Sequence, residues 1–140
     1  MPWDFSNPFI IALQVETQHL DALNHTNNVV YLEWMEKVAW EHSAALGLTF
    51  NDYQRTGYAM VAARHEIDYL GASYANEQLL LGTWIIASNR LSTERAYQLI
   101  RSNDQKTLMR ARTRWVCIDL VSGQARRMPA EFIKAYQVST

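Results

Sequence analysis

Apolar and polar positions along the chain change their spacing several times, and each change marks a predicted element. Residues 9–18 begin apolar and then alternate, which predicts a first β-strand. After a polar cluster, the stretch from residue 29 to about residue 46 contains neither proline nor glycine, and Gly47 follows where a helix-terminating residue belongs. Apolar residues cover most of this predicted helix, and a narrow polar strip carries Glu33, Lys37 and Glu41. A helix this apolar must be enclosed by the rest of the chain.

Four further β-strands are predicted at residues 58–70, 78–91, 95–103 and 106–120. An Asn-Asp-Gln turn between the last two predicts a hairpin. In the last strand Arg110, Arg112 and Arg114 alternate with smaller or apolar residues, which is the period of a strand. Ser122-Gly123 ends that strand, and Pro129 suits the first position of a short C-terminal helix. The order predicts an α+β fold in which an antiparallel five-stranded sheet wraps around one long central helix.

Length and composition limit the organisation of the protein. With 140 residues and 49% hydrophobic content, the chain is expected to form a single domain, residues 1–140, around its own core. Five Trp and seven Tyr are more aromatic surface than a small monomer easily buries, so another subunit is expected to cover part of it. The net charge of −1 argues against nucleic-acid binding, because nucleic-acid-binding proteins usually carry a basic patch.

Cys117 is the only cysteine in the sequence, so an intramolecular disulfide and a cysteine-based metal site are both excluded. Its strand-like surroundings predict a packed core thiol. The N-terminus lacks the basic and apolar regions of a signal peptide, and no apolar run reaches the length of a membrane span. A cytoplasmic protein without membrane contact is therefore expected.

The segment from Asp21 to Tyr31 carries the most chemically informative residues: Asp-Ala-Leu-Asn-His-Thr-Asn-Asn-Val-Val-Tyr. It places a carboxylate, an imidazole and turn-forming amides directly before the long helix. A helix start collects unpaired backbone N–H groups and the positive end of the helix dipole. A polar cluster with one Asp there can stabilise a developing negative charge and supply a base or nucleophile. The same residue types also form Asx turns and helix caps for purely structural reasons.

In this element order, one motif resembles the hotdog-fold acyl-CoA thioesterases, and most closely the branch of 4-hydroxybenzoyl-CoA thioesterase. The motif is Asp21-x-x-x-His25-x-Asn27-Asn28-x-x-Tyr31-x-x-Trp34-x-Glu36. Residues 66–70 with Tyr74 resemble the family's second strand and its exit loop, and residues 115–119 resemble its final strand. The resemblance covers nearly the whole chain. It implies the hotdog fold and hydrolysis of an acyl-CoA thioester to a free acid and CoA, without a metal or an organic cofactor.

The resemblance also implies roles for individual residues. Asp21 matches the family's catalytic carboxylate, which acts as nucleophile or as general base toward water. Asn28 falls where a backbone N–H at the helix start polarises the thioester carbonyl, and His25 lies at a polar position beside the carboxylate. Asn27 and Tyr31 are expected to contact the substrate. Active sites of the family lie at a dimer interface, so a homodimer or a dimer of dimers, a homotetramer, is expected.

Several alternatives stay open at the level of sequence. A hydratase or dehydratase of enoyl thioesters has the same fold but leaves Asp21 without its assigned role, and a non-catalytic module binding acyl-CoA or acyl-carrier protein needs no catalytic residue. Relatives often have glycine where this chain has Asn24, which is the best substitute for glycine if the position needs a positive φ.

The remaining charged clusters give weaker signals. His65, Glu66 and Asp68 resemble a set of metal ligands, but strand alternation places His65 on the opposite sheet face, so no metal site is predicted. The arginines that are candidates for binding the CoA phosphates are Arg64, Arg90, Arg110, Arg112 and Arg114.

Overall fold

The computed structural model describes residues 2–140 of the chain. Its strands are β1 (Phe9–Gln14), β2 (Tyr58–Tyr69), β3 (Gln78–Ser88), β4 (Ser92–Arg101) and β5 (Thr107–Asp119). Its helices are α1 (Asn28–Ala45), α2 (Phe50–Thr56) and α3 (Ala130–Ala135), and one 3-10 turn spans Thr17–His19.

The strands of this described region form a five-stranded sheet in the order β1-β3-β4-β5-β2. Every neighbouring pair is antiparallel. β4 and β5 form the predicted hairpin, and its turn is completed by Gln105 with a φ of 59°. The predicted combination of an antiparallel five-stranded sheet, a long helix and a short C-terminal helix is therefore confirmed.

The long helix α1 begins and ends within one residue of its predicted bounds. Asn27 caps its start by accepting a hydrogen bond from the Val29 N–H at 3.0 Å. Gly47 follows its end with a φ of 96°, a left-handed conformation that suits glycine. Its inward side chains form the main core with the sheet: Val30, Tyr31, Trp34, Met35 and Val38. Within residues 2–140, neither this helix nor any other is long and apolar enough to cross a membrane.

The other end of the sheet is closed by α2 and α3. Tyr53 and Tyr136 join their hydroxyls at 2.6 Å, and Tyr136 is also 2.6 Å from the hydroxyl of Ser43 on α1. Phe132 is completely buried in this second core cluster. Cys117 is completely buried in it as well, and burial raises the pKa of its thiol. The predicted core thiol is confirmed.

Two predicted strands are shorter in the structure. The first ends at Gln14 and not at residue 18, because the Glu16 N–H donates to Nδ1 of His19 at 2.9 Å and the chain turns there. The third ends at Ser88 and not at residue 91, because the side chain of Asn89 accepts from two following backbone N–H groups. The remaining strand ends lie within three residues of the predicted positions.

The short helices α2 and α3 differ from the prediction in two further ways. The hydrophobic pattern does not predict α2, which starts with a capping box between Thr49 and Asp52. Arg55 of α2 forms an ion pair of 2.7 Å with Glu131 of α3. Pro129 is the N-cap of α3 and not its first helical residue, because its backbone is extended.

Candidate active site

Residues 20–27 form a tight loop before α1. The Asp21 N–H donates to the carbonyl of His25 at 2.8 Å, and the Asn24 N–H donates to the carbonyl of Asp21 at 3.0 Å. Leu20 and Thr26 close the loop through a β-bridge. The loop therefore returns the chain past Asp21 immediately before it enters the helix.

Asn24 adopts the left-handed conformation with a φ of 61°, which confirms that this position needs a positive φ. We expect Asn24→Gly to keep or slightly raise the free energy of unfolding. Asn24→Ala should lower that free energy by about 1–2 kcal/mol, because a Cβ without a polar group is strained there. Urea denaturation of both variants tests this. Asn103→Ala, at an exposed turn position without a positive φ, is the matched control; equal stability of the Asn24→Gly and Asn24→Ala variants would contradict the prediction.

The carboxylate of Asp21 is half-buried, and its two oxygens have different surroundings. Oδ1 accepts hydrogen bonds from the N–H groups of Leu23 at 2.8 Å and His25 at 3.3 Å, which is an Asx turn. Oδ2 accepts no hydrogen bond from residues 2–140. One oxygen therefore holds the loop, and the other is available to a ligand.

The start of α1 presents an unpaired donor. Val29 N–H is bound by the Asn27 side chain, and Val30 N–H donates to the Asn27 carbonyl at 2.9 Å. The Asn28 N–H has no acceptor within the described part of the chain, and it lies at the positive end of an 18-residue helix. The arrangement suits a negatively charged oxygen. Asn27 acts as the helix cap, and its contact with substrate stays a prediction.

Tyr31 is buried, with 2% of its surface exposed. Its hydroxyl lies 2.8 Å from Oγ of Ser73, which in turn donates to Oγ1 of Thr26 at 2.6 Å. Burial raises the pKa of Tyr31. The network ties the loop before α1 to the segment after β2, and a contact between Tyr31 and the substrate stays a prediction. The sequence pattern does not single out Ser73, because its partners lie more than 40 residues away.

His25 and two tyrosines line the same end of α1. The His25 ring packs edge-on against Tyr74 with 5.2 Å between ring centroids. Tyr69, at the end of β2, donates its hydroxyl to the Asn28 carbonyl at 3.2 Å and stacks on Tyr31. The segment that resembles the family's second strand and exit loop therefore contributes an aromatic wall beside the predicted catalytic residues.

Four of the five candidate arginines, Arg64, Arg110, Arg112 and Arg114, lie on the outer face of the sheet, and Arg90 lies in the turn between β3 and β4. Arg110 and Arg112 are exposed on the sheet face opposite α1, because Ala111 between them belongs to the core beneath that helix. Arg110 is held by Asp4 at 2.6 Å, and Arg64 is paired with Glu66. The structure does not bring these arginines to the Asp21 loop within one protomer.

The predicted separation of His65 from the neighbouring acids is confirmed. His65 Nδ1 lies 2.7 Å from Oγ1 of the buried Thr113, whereas Glu66 and Asp68 are exposed on the opposite face. Across residues 2–140, no group of three or more His, Cys, Asp or Glu side chains is placed to hold a metal ion.

Comparison with known proteins adds a family and a fold. A family model described as the thioesterase-like superfamily matches residues 15–136. A comparison with curated protein sequences found no significant match.

Similar solved structures cover nearly the whole chain. A 1,4-dihydroxy-2-naphthoyl-CoA thioesterase from Synechocystis has a TM-score of 0.84 and 18% identity, over 93% of this chain and 96% of that one. A DHNA-CoA thioesterase from Staphylococcus aureus has a TM-score of 0.84 and 17% identity, over 92% and 88%. A hypothetical protein from the same organism, solved in complex with CoA, has a TM-score of 0.86 and 14% identity, over 92% and 81%. At this level of identity the similarity establishes the fold, and the predicted hotdog fold is confirmed.

Proposed function

Because this chain belongs to the thioesterase-like superfamily, we propose that it is an acyl-CoA thioesterase that produces a free acid and CoA. Membership of the family supports thioester hydrolysis in general. The observation that carries the finer assignment is that the Asp21 loop and the helix start that follows it leave two groups without a partner among residues 2–140. These groups are Oδ2 of Asp21 and the N–H of Asn28.

The Asn28 N–H is proposed to bind the thioester carbonyl oxygen. Attack on the carbonyl carbon transfers negative charge to that oxygen, and a fixed donor at the positive end of α1 stabilises the charge as it develops. Loss of one such donor raises a barrier by roughly 3 kcal/mol. The leaving thiolate of CoA is stable enough near neutral pH that a strong general acid is not essential.

Asp21 is proposed to drive the attack through Oδ2. As a nucleophile it forms a mixed anhydride and releases CoA thiolate, and water then hydrolyses the anhydride. As a general base it takes a proton from water while the water oxygen bonds to the carbonyl carbon. Either route needs a rigid carboxylate, and the two hydrogen bonds to Oδ1 supply that rigidity. His25 is proposed to assist beside this carboxylate, and Asn27 and Tyr31 to shape the substrate pocket.

The protein is proposed to act as a homodimer or as a dimer of dimers. Large apolar side chains are exposed around the candidate site, including Leu23 at 72% and Val29 at 61%. β2 is an edge strand, and its last residue Tyr69 belongs to the same surface. Burial of this surface by a second copy removes apolar area from water. Multi-angle light scattering should report at least a dimer, and a monomer at assay concentration would contradict a shared active site.

Thiol release from a panel of short-chain, long-chain and aromatic acyl-CoAs tests the proposed activity. Cys117 is completely buried and its pKa is raised, so its background reaction with a thiol dye should be slow and is subtracted from a substrate-free control. Turnover of any member supports the thioesterase. No turnover across the panel, with stabilisation by a non-hydrolysable analogue, would favour a binding module. A change in enoyl absorbance without thiol release would favour a hydratase.

A further inference from the structure

A buried arginine lies beneath the second half of α1, away from the candidate active site. Arg95 projects from β4 toward the helix and is 4% exposed. Its Nη1 lies 2.8 Å from Nδ1 of His42 and donates to Oγ1 of Thr83 at 3.2 Å. Because a guanidinium has no acceptor atom, His42 must accept through Nδ1 and is neutral. Both partners of Arg95 are therefore uncharged.

No carboxylate of the described residues balances this charge. None of the ion pairs among residues 2–140 involves Arg95. Its Nε and Nη2 form no hydrogen bond within that same part of the chain. Burial lowers the pKa of Arg95, but a guanidinium keeps its proton in proteins. A buried charge without a counter-ion is costly, and an anion that reaches it recovers much of that cost.

A cavity lies against Arg95 and offers space for such an anion. It has a volume of about 30 Å³, room for roughly two water-sized groups. Arg95 lines it together with Thr93, whose side chain carries a hydroxyl. Ser43 and Tyr136 also line it, but the Ser43 hydroxyl donates to the Leu48 carbonyl at 2.7 Å and the Tyr136 hydroxyl is bound to those of Ser43 and Tyr53. Trp115 also lines the cavity, so its indole resonance can report on a ligand bound there.

Trp40 lines the cavity and is 43% exposed, so the side of the cavity beside Trp40 is the one nearest to solvent. The space matches the two oxygens of a carboxylate, and the fork of a guanidinium fits a carboxylate in two parallel hydrogen bonds. A phosphate needs room for four oxygens and suits the cavity less well. Helix geometry places Ala39 on the cavity wall about 16 Å along α1 from Asn28. That separation favours a free small acid over a carboxylate carried at the far end of a short acyl chain that is bound at the active site.

We propose that this cavity is a binding site for a small monocarboxylate, with Arg95 as the receptor of the carboxylate and the Thr93 hydroxyl beside it. The proposal does not rest on the proposed thioesterase activity, because its evidence is the unbalanced charge and the space beside it. It assigns to the C-terminal half of α1 a ligand site separate from the Asp21 loop.

Titration followed by ¹H–¹⁵N NMR tests the site directly on the full-length chain. The Trp115 indole resonance, assigned by comparison with Trp115→Phe, should shift saturably with sodium formate and sodium acetate. Acetamide, which matches acetate in shape without its charge, should leave the resonance in place. Sodium chloride at the same concentrations controls for ionic strength. An equal saturable response to chloride, or no response to either carboxylate, would overturn the proposal.

Arg95→Met keeps much of the side-chain length and removes the charge. The carboxylate response should weaken by about tenfold or more, as expected for loss of a charge-assisted hydrogen bond. If this variant does not fold, the titrations of the parent protein still decide the question. Tighter binding of hexanoate than of acetate would support the carboxylate site and assign it to a longer acid whose tail passes Trp40. An unchanged response in folded Arg95→Met would show that Arg95 is not the receptor.

Discussion

Asp21→Asn should lower kcat for thioester hydrolysis by about 10²–10⁴-fold, the range that a positioned acid or base contributes. The asparagine carbonyl oxygen can still accept from the N–H groups of Leu23 and His25, so the loop should keep its Asx turn. The variant replaces the second oxygen, which is the atom proposed to act, with an uncharged amide nitrogen that cannot serve as nucleophile or base. The substitution therefore tests the catalytic role of Asp21 and leaves its structural role in the loop intact. Initial rates of thiol release at saturating substrate measure the effect, and circular dichroism and thermal unfolding check the fold.

Asp119→Asn is a matched control for this experiment. Asp119 also forms an Asx turn, in which its Oδ1 accepts from the N–H groups of Val121 at 2.8 Å and Ser122 at 2.9 Å. It lies at the end of β5, outside the Asp21 loop. The control should keep parental turnover. Near-parental turnover of Asp21→Asn would show that Asp21 has only its structural role. Asp21→Ala should lose both the activity and part of the loop stability, which distinguishes it from the isosteric change.

Much of the fold is predictable from the sequence because its elements are long and regular. The alternation of Arg110 and Arg112 with buried residues identifies a strand with one solvent-facing side, and the structure has that arrangement. The bounds of α1 follow from Asn27 and Gly47, whose preferences as cap and terminator act locally. Local signals of this kind need no knowledge of the tertiary structure.

The short elements are less predictable. α2 has only seven residues and is stabilised partly by the ion pair between Arg55 and Glu131, which lie 76 residues apart. Its local signals are the capping box of Thr49 and Asp52 at its start and Gly57, with a φ of 78°, at its end. β1 ends early because His19 provides a side-chain acceptor to a backbone N–H, an interaction that the hydrophobic pattern does not encode.

The candidate site also combines features that the local sequence predicts with features that depend on residues distant in the sequence. The position of Asn28 at the helix start follows from the local sequence, whereas the positive φ of Asn24 is suggested only by the family resemblance, because relatives often have glycine there. The hydrogen bond between Tyr31 and Ser73 joins residues 42 positions apart and depends on the folded sheet. The surroundings of Arg95 are the least predictable. Strand alternation predicts the face of the sheet on which Arg95 lies, but nothing in the sequence indicates that a charged side chain is buried there beside His42.

The free energy of unfolding should fall by about 3 kcal/mol between pH 7 and pH 4 through His42 alone. Burial, followed by the nearby charge of Arg95, lowers the pKa of His42 from its ordinary value of 6.5 to about 4. Between these values the unfolded chain binds a proton that the folded chain does not bind, so stability rises with pH. The contribution is fully present above pH 6.5 and is lost as the pH falls to about 4.

His42→Asn removes the contribution of His42 to the pH dependence of stability, because the asparagine side chain does not titrate. Its Oδ1 can replace Nδ1 of histidine as the acceptor for Arg95. The variant should be less stable than the parent at pH 7, because it loses the packing of the His42 ring against Phe9. It should lose less stability on acidification than the parent. Urea unfolding of both proteins in half-unit steps between pH 7 and pH 4 measures the difference, and an NMR titration of the His42 ring in the parent reports its pKa directly. Parallel pH profiles for the two proteins would contradict the assignment. The variant keeps the acceptor for Arg95. A smaller pH dependence than that of the parent would therefore show that the proton on His42 destabilises the fold, as expected where a second positive charge lies against a buried guanidinium that has no counter-ion among residues 2–140.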